Sequence, residues 1–255
     1  MKQITFYALA ALSWVLPSSI LSAQSEWTDG HGDIGVGYED EGSGFELHPH
    51  WHIEGGTVDG TPRPDQEFEA ADLTLVVPDN TDTQSVRPAG SDWDPIGVAA
   101  GEGYWTIPNT STVGVPFMGW ATEELTPANW NTPITFALTG LTGPGDISLY
   151  SISTTPNFHW ASSNGITGAD SFDLSIGAHT HHNMTFTEAG LYSVEITFSG
   201  THTSDGFQTA TETFSFNVVP EPSTALLLGA GMAGLLLGRR GRRPGFNSRG
   251  SHGAD

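Results

Sequence analysis

Histidine is the residue type in this sequence best suited to chemistry. The chain contains 10 His and 0 Cys, so a metal site would be built from imidazole and carboxylate groups rather than thiolates. Most of the histidines occur in three short segments, Gly-His-Gly-Asp, His-Pro-His-Trp-His and His-Thr-His-His-Asn. The candidate metal ligands in these segments are His31, Asp33, His48, His50, His52, His179 and His181.

The spacing of these residues fits ligands on strands. Residues i and i+2 of a strand share a face at a separation of roughly 6.5 Å, so two imidazoles can converge on one ion with bonds of about 2.0–2.1 Å. His179 and His181 have this spacing, as do His31 and Asp33. The three histidines of His-Pro-His-Trp-His would span about 13 Å on a straight strand, so we expect two of them to join ligands from another strand. Zn²⁺ suits this ligand set best, with Mn²⁺ and Cu²⁺ as alternatives. A weakly chelating surface without one defined site is the competing interpretation.

The charge distribution favours a cationic partner. The chain carries 29 Asp+Glu against 8 Lys+Arg, a formal net charge of −21. Between Gln3 and Gly238 the only Lys or Arg residues are Arg63 and Arg87. Nucleic acid is excluded as a ligand because its recognition requires clustered cations to neutralise phosphates.

The elements that must position the histidines are predicted to be strands. Short alternating apolar patterns occur at 72–77, 134–138, 147–152, 192–198 and 211–218, separated by Gly, Pro, Asp and Asn turns. These patterns predict an all-β fold, an immunoglobulin-like antiparallel β-sandwich with irregular insertions, formed by a single domain over residues 24–218. A Tyr corner is expected at Gly190-Leu-Tyr192, and residues 78–132 are predicted to be long connections with short strands.

The N-terminal segment has the features of a secretory signal peptide. Lys2 precedes an apolar run, and small residues lead to a predicted cleavage site after Ala23. Residues 1–23 are therefore predicted to be removed by signal peptidase during export.

The C-terminal segment, residues 219–243, consists of Val-Pro-Glu-Pro-Ser-Thr, a short apolar helix at 225–238 and an arginine cluster. It resembles the PEP-CTERM sorting signal, whose features here are Pro220, Glu221, Pro222, Arg239 and Arg240. The resemblance implies a transient inner-membrane anchor through 225–238, processing by an exosortase, and delivery to the cell surface or extracellular matrix of a Gram-negative bacterium. Residues 244–255 are predicted to form a disordered tail.

The body between these signals resembles the choice-of-anchor M family of bacterial surface proteins. The resemblance rests on Gly-His31-Gly-Asp33-Ile-Gly-Val, on Gly-Tyr-Trp105-Thr-Ile-Pro, and on His179-Thr-His181-His-Asn followed by Phe-Thr-Glu-Ala-Gly-Leu-Tyr192. It implies association with zinc or manganese uptake loci. Within it, His179 and His181 match the paired histidines of the family, and His31 and Asp33 match its opening motif.

Three classes of function remain open at this stage. The first is a non-catalytic surface protein that binds a divalent metal ion and is linked to metal acquisition. The second is a carbohydrate- or matrix-binding adhesion module, in which exposed Trp rings stack on extracellular polysaccharide. The third, a zinc hydrolase or glycosidase, is disfavoured because the sequence has no Gly-X-Ser-X-Gly and no His-Glu-X-X-His motif; we expect no enzymatic activity.

Overall fold

The computed structural model describes residues 24–40, 42 and 44–220. The predicted signal peptide, the apolar segment 225–238, the tail 244–255 and the sorting residues Glu221, Pro222, Arg239 and Arg240 lie outside this part of the chain. Among the described residues, no helix is both long enough and apolar enough to cross a membrane.

The described chain is mostly β-structure, with three short 3₁₀ helices at Ser91–Ile96, Pro127–Asn129 and Ser162–Asn164. The strands, numbered in chain order, are β1 Ser25–Asp40, β2 Phe45–Ile53, β3 Gly56–Val58, β4 Thr61–Arg63, β5 Gln66–Glu69, β6 Leu73–Val77, β7 Gln84–Val86, β8 Gly103–Ile107, β9 Pro116–Ala121, β10 Ile134–Thr142, β11 Ile147–Ile152, β12 Pro156–Ala161, β13 Ser171–Leu174, β14 His179–Thr180, β15 Asn183–Phe186, β16 Gly190–His202 and β17 Gly206–Val218.

These strands form two sheets in a sandwich-like arrangement, which confirms the predicted fold class. The larger sheet has the order β13-β10-β16-β17-β6-β1-β2-β5, with β9, β14, β3 and β4 attached beside β1. The smaller sheet has the order β12-β11-β15-β8-β7. Most pairings are antiparallel, but β6 pairs in parallel with β1 and β17, and β9 pairs in parallel with β1. Alternating hydrophobicity indicates a strand but not its direction, so the sequence could not reveal these parallel contacts.

Aromatic side chains fill the space between the sheets. Trp120 of the larger sheet contacts Trp160 of the smaller sheet edge to face, with ring centroids 5.0 Å apart. Phe186 of the smaller sheet similarly faces Phe216 of the larger one at 5.5 Å. Contacts of this kind combine large apolar burial with favourable ring geometry, and they hold the two sheets in a fixed relation.

The predicted Tyr corner is present. The hydroxyl of Tyr192 donates a hydrogen bond to the backbone oxygen of Glu188 at 2.8 Å and accepts one from the Glu188 N–H at 3.2 Å. These bonds fix the start of β16, because both polar groups of Glu188 would otherwise need other partners.

Strands β1 and β2 each have an apolar face that packs into the core and a polar face on the opposite side. Ile34 and Val36 of β1, and Trp51 and Ile53 of β2, join the core. The alternate residues point to the opposite face, since successive side chains of a strand alternate. That outer face carries the histidines of both strands, and the 16 residues of β1 make it the main support of the candidate site.

Candidate metal centre

The histidine groups predicted from the sequence meet on the outer face of the region formed by β9, β1, β2 and β5. Strand β1 lies between β9 and β2, so Asp33 has Gly119 as its partner on one side and His52 on the other. The two-residue strand β14 pairs with β9 and places His179 opposite Ala121. Segments far apart in sequence therefore bring their polar side chains to one surface.

We call His31, Asp33, His179 and His181 the first centre. One ring nitrogen from each of the three histidines lies within 4.8 Å of the other two. Oδ1 of Asp33 is 3.0 Å from Nε2 of His179 and 3.5 Å from Nε2 of His31. Ligands of a tetrahedral zinc ion lie about 3.4 Å apart, given bonds of about 2.0–2.1 Å. The distances from Asp33 to His31 and His179 are close to this spacing, and His181 lies within 4.8 Å of both histidines.

Two further carboxylates approach the first centre from its rim. Oε2 of Glu54 is 3.5 Å from Nδ1 of His31, and Oε2 of Glu123 is 3.8 Å from Nδ1 of His179. Carboxylates in this position can orient a ligating imidazole through its second nitrogen, and they add negative potential that attracts a cation.

Buried polar atoms without hydrogen bonds point to a cation at the first centre. Asp33 is only 1% exposed, and neither its Oδ1 nor Nε2 of His179 has a hydrogen-bond partner. The two atoms lie 3.0 Å apart, but without the geometry of a hydrogen bond. Leaving a buried carboxylate oxygen unpaired is costly, and a metal ion held between Asp33 and the imidazoles would remove that cost. The residues present thus fit a divalent cation.

His181 is oriented so that one nitrogen is free for a metal. Its Nδ1 lies 2.9 Å from the backbone oxygen of Met118, and because a carbonyl only accepts, Nδ1 must carry the proton. In the neutral ring Nε2 is then an unprotonated ligand. The ring also stacks on Phe117, with centroids 3.7 Å apart and planes inclined by 10°.

The histidines of the first centre differ in basicity. The neighbouring Asp33 carboxylate raises the pKa of His179 by more than burial lowers it. Burial lowers the pKa of His181, and the nearby His179 and His31 rings lower it further. A cluster in which one imidazole has a raised pKa and another a lowered pKa can release a proton when it binds a cation near neutral pH.

Gly119 of β9 leaves the space that the first centre occupies. A Cβ atom at this position would overlap Oδ1 of Asp33, and it would lie 2.5 Å from Nε2 of His179 and 2.9 Å from Cε1 of His181. Any side chain at this position would therefore displace the ligand atoms.

A second histidine group lies beside the first centre, on β2. Ligand atoms of His50, His52 and Glu124 lie within 4.8 Å of one another. Nε2 of His50 is 3.0 Å from Oε1 of Glu124, and Nδ1 of His52 is 3.8 Å from the same oxygen. His48 turns toward Glu39 and Glu69 instead. Two of the three histidines on β2 thus lie beside Glu124, which follows the end of β9.

Carboxylates dominate the electrostatics of this second group. Burial lowers the pKa of His50, but its contact with Glu124 outweighs burial and the net pKa is raised. Asp65 and neighbouring carboxylates likewise raise the pKa of His52 against burial. For Glu124 burial works to raise the pKa, whereas His50 and His52 lower it, and the net pKa is lowered.

The remaining described histidines belong to neither ligand group. His159 and His182 face each other with ring centroids 4.4 Å apart, and Nδ1 of His202 is 2.7 Å from the Asp205 carboxylate.

The sequence missed the contributions of Glu123, Glu124 and Gly119. In so acidic a chain a Glu-Glu pair carries little information, and only the pairing of β9 with β1 and β14 brings it to the histidines.

Most Trp rings are unavailable for stacking on sugars. Of the seven Trp in residues 24–218, five are buried, namely Trp27, Trp51, Trp120, Trp130 and Trp160. Only Trp93 and Trp105 are partly exposed. The sequence argument for polysaccharide binding therefore loses most of its support.

Comparison with known proteins identifies the C-terminal signal. Residues 218–243 match the family model described as the PEP-CTERM protein-sorting motif. No curated protein and no solved structure matches the chain. The motif implies an exported, surface-associated protein of a Gram-negative bacterium, and it is consistent with exosortase as a processing partner.

Proposed function

We propose that this exported protein binds a divalent metal ion at the first centre, with Zn²⁺ preferred over Mn²⁺ and Cu²⁺. The carrying observation is that ligand atoms of His31, His179 and His181 lie within 4.8 Å of one another beside the buried Asp33, whose Oδ1 is 3.0 Å from His179 and has no hydrogen-bond partner. Three imidazoles and one carboxylate form a ligand set that suits zinc.

The proposed role is capture or buffering of the ion near the cell surface rather than catalysis. Four protein ligands would fill a tetrahedral coordination sphere, whereas catalytic zinc sites keep a position open for water or substrate. The acidic body of the chain would concentrate cations around the site. The resemblance to choice-of-anchor M proteins supports a link to metal acquisition, since the four ligands coincide with the motifs that carry that resemblance.

The test is metal analysis of the full chain, purified in detergent, stripped with a chelator and titrated with Zn²⁺ at pH 7.5. Substituting His179→Ala together with His181→Ala should remove the highest-affinity equivalent of zinc. The matched control is His159→Ala, a half-buried histidine outside the first centre, which should leave that equivalent in place.

Two results would overturn the proposal. One is a wild-type chain that holds no zinc by mass spectrometry and gives no titration heat. The other is an unchanged first equivalent in the double variant. Glycan binding that persists after chelation would instead support the adhesion alternative.

A further inference from the structure

In the second histidine group, the neutral imidazoles have fewer N–H donors than there are carbonyl and carboxylate oxygens facing their nitrogens. A carbonyl only accepts, so Nδ1 of His50 donates to the backbone oxygen of His48 at 3.0 Å. In neutral His50 the lone pair of Nε2 then faces Oε1 of Glu124, also an acceptor, at 3.0 Å. Two acceptors at this distance repel unless a proton or a metal cation lies between them.

The same conflict recurs at the two neighbouring histidines. Nε2 of His52 is 2.9 Å from Asp65 while its Nδ1 faces Glu124 at 3.8 Å. His48 stands between Glu39 at 3.4 Å and Glu69 at 3.1 Å, and its Nδ1 is buried without a hydrogen-bond partner. A neutral imidazole has one donor, so each ring is one positive charge short of satisfying both carboxylates.

Burial raises the free-energy cost of the missing positive charge at His50. His50 is fully buried, at 0% exposure, while Glu124 is partly covered. A contact between the lone pair of a buried imidazole and a carboxylate is costly, even though water reaches part of the Glu124 side chain. A cation bound by both groups would turn that contact into a favourable one.

We infer that His50, His52 and Glu124 form a second divalent-cation site, here called the second centre, distinct from the first. The inference goes beyond the proposed function, because it concerns a different ion held by different residues.

The two centres adjoin on the sheet, and their most buried ligands are offset along the strands. Asp33 of the first centre lies opposite His52, whereas His50 lies opposite Gly35, two residues further along β1. Two residues correspond to about 6.8 Å along a strand, and neighbouring strands are about 4.8 Å apart. Among the described residues, no set of three or more ligand atoms within 4.8 Å of one another combines His50, His52 or Glu124 with the ligands of the first centre.

Two glycines of β1 provide the room for the second centre. A Cβ atom at Gly35 would lie 3.2 Å from Nε2 of His50 and 3.5 Å from Oε1 of Glu124. At Gly37 it would lie 3.0 Å from Oε2 of Glu124. The glycines let the His50 ring and the Glu124 carboxylate lie over the β1 backbone, as Gly119 does for the first centre.

One dipeptide serves both centres. Glu123 approaches His179 of the first centre, and the adjacent Glu124 binds His50 of the second. The segment after β9 thus supplies one carboxylate to each. With three protein ligands, the second centre leaves coordination positions open, which suits an exchangeable ion that enters or leaves beside a more completely ligated one.

The test is the stoichiometry of Zn²⁺ and Co²⁺ binding to the chelator-stripped full chain at pH 7.5. The wild type should saturate at two equivalents of either ion. Glu124→Gln combined with His52→Ala should leave one equivalent at the first centre, and His179→Ala with His181→Ala should leave one at the second. Glu212→Gln, at an exposed position on β17, is the control and should retain both.

The outcomes separate this inference from the proposed function. A wild type that saturates at one equivalent, lost in the His179/His181 variant, would overturn the second centre and leave the proposed function standing. Two equivalents that persist in the Glu124/His52 variant would also overturn it. Circular dichroism of each variant, together with retention of its remaining equivalent, excludes loss of fold as the cause.

Discussion

At the scale of single residues, the binding face depends on glycine as much as on histidine. The outward positions of β1 are occupied first by His31 and Asp33 and then by Gly35 and Gly37. Candidate ligands on this strand are therefore followed by positions without a side chain. Imidazole and carboxylate groups need that space because they reach over the backbone of the neighbouring strand. Substitutions at the glycines therefore test the site without removing a ligand.

Gly119→Ala should weaken zinc binding at the first centre by at least about tenfold. The added methyl group would collide with Asp33 and His179, and displacing a ligand by even a fraction of an ångström distorts the tetrahedral geometry that zinc adopts. Competition with a chromophoric chelator measures the change. Gly103→Ala is the control, since the nearest atom to its Cβ would be 3.8 Å away; equal affinities in the two variants would contradict the prediction.

His182 should make the metal-free fold less stable in mild acid. Burial, aided by the nearby His159 and His181 rings, lowers the pKa of His182 from the ordinary histidine value of 6.5 to about 4. Between these values the unfolded chain binds a proton that the folded chain does not. The contribution of His182 is therefore complete above pH 6.5 and is lost as the pH falls toward 4.

The measurement is urea unfolding of wild type and His182→Phe, both stripped of metal, at pH 6.5 and pH 4.5. The free energy of unfolding of the wild type should fall relative to the variant by about 2 kcal/mol, since one pKa unit corresponds to about 1.4 kcal/mol. Parallel pH profiles for the two chains would show that His182 does not carry this dependence.

At the scale of elements, the strands of the candidate site and the start of β16 are positioned by different contacts. Strand β1 is held between β2 and β9 by backbone pairing on both sides, which fixes where His31 and Asp33 point. Strand β14 has only two residues, and pairing with β9 together with the contact of His181 with Met118 positions it. At the start of β16 the Tyr192 hydroxyl anchors the preceding turn through Glu188.

Tyr192→Phe should lower the free energy of unfolding by about 1–2 kcal/mol, because it removes two hydrogen bonds and leaves the backbone groups of Glu188 without this partner. Urea denaturation measures the change. Tyr38→Phe is the matched control, since it removes one hydrogen bond to the exposed Asp205 carboxylate and should cost less. Zinc stoichiometry should be unaffected by Tyr192→Phe, because the corner lies outside both centres.

At the scale of the whole molecule, the acidic body and the sorting signal act together. The body of the chain is negatively charged and presents imidazoles on one face of its larger sheet, while the C-terminal motif directs export to the cell surface. Outside the cytoplasm the site would meet whatever pH and metal supply the surroundings offer. Both the pH response and the export step can be measured.

Zinc affinity should fall steeply as the pH drops from 7.5 to 5.5. Protonated imidazole does not bind metal, and the raised pKa values of His179, His50 and His52 extend proton competition to higher pH. In the metal-free chain these histidines affect the stability of the fold in the opposite direction. Their ion pairs with carboxylates contribute fully below the pKa of the unfolded chain, and this contribution is lost as the pH rises through the raised pKa of the folded chain. Isothermal titration at a series of pH values checks the prediction; a flat affinity profile would contradict histidine ligation.

Replacing Pro220, Glu221 and Pro222 together by alanine should block C-terminal processing, because these residues form the Pro-Glu-Pro element within the matched sorting motif. The unprocessed chain should accumulate in the inner-membrane fraction, detected by immunoblot of fractionated cells. Ser248→Ala, outside the matched residues 218–243, is the control and should be processed normally. Surface delivery of the triple variant would show that this motif is not used.

The sequence by itself determined the all-β class, the C-terminal sorting motif and the residue types of the candidate metal site, because these follow from local alternation, from contiguous motifs and from ligand chemistry. Only the tertiary structure decided that His31 and Asp33 meet His179 and His181, while His50 and His52 meet Glu124. The reason is that the parallel pairing of β9 with β1 and the short pairing of β14 with β9 are long-range contacts with no local pattern. Cross-strand register, set by packing of the whole core, determines which side chains share a face.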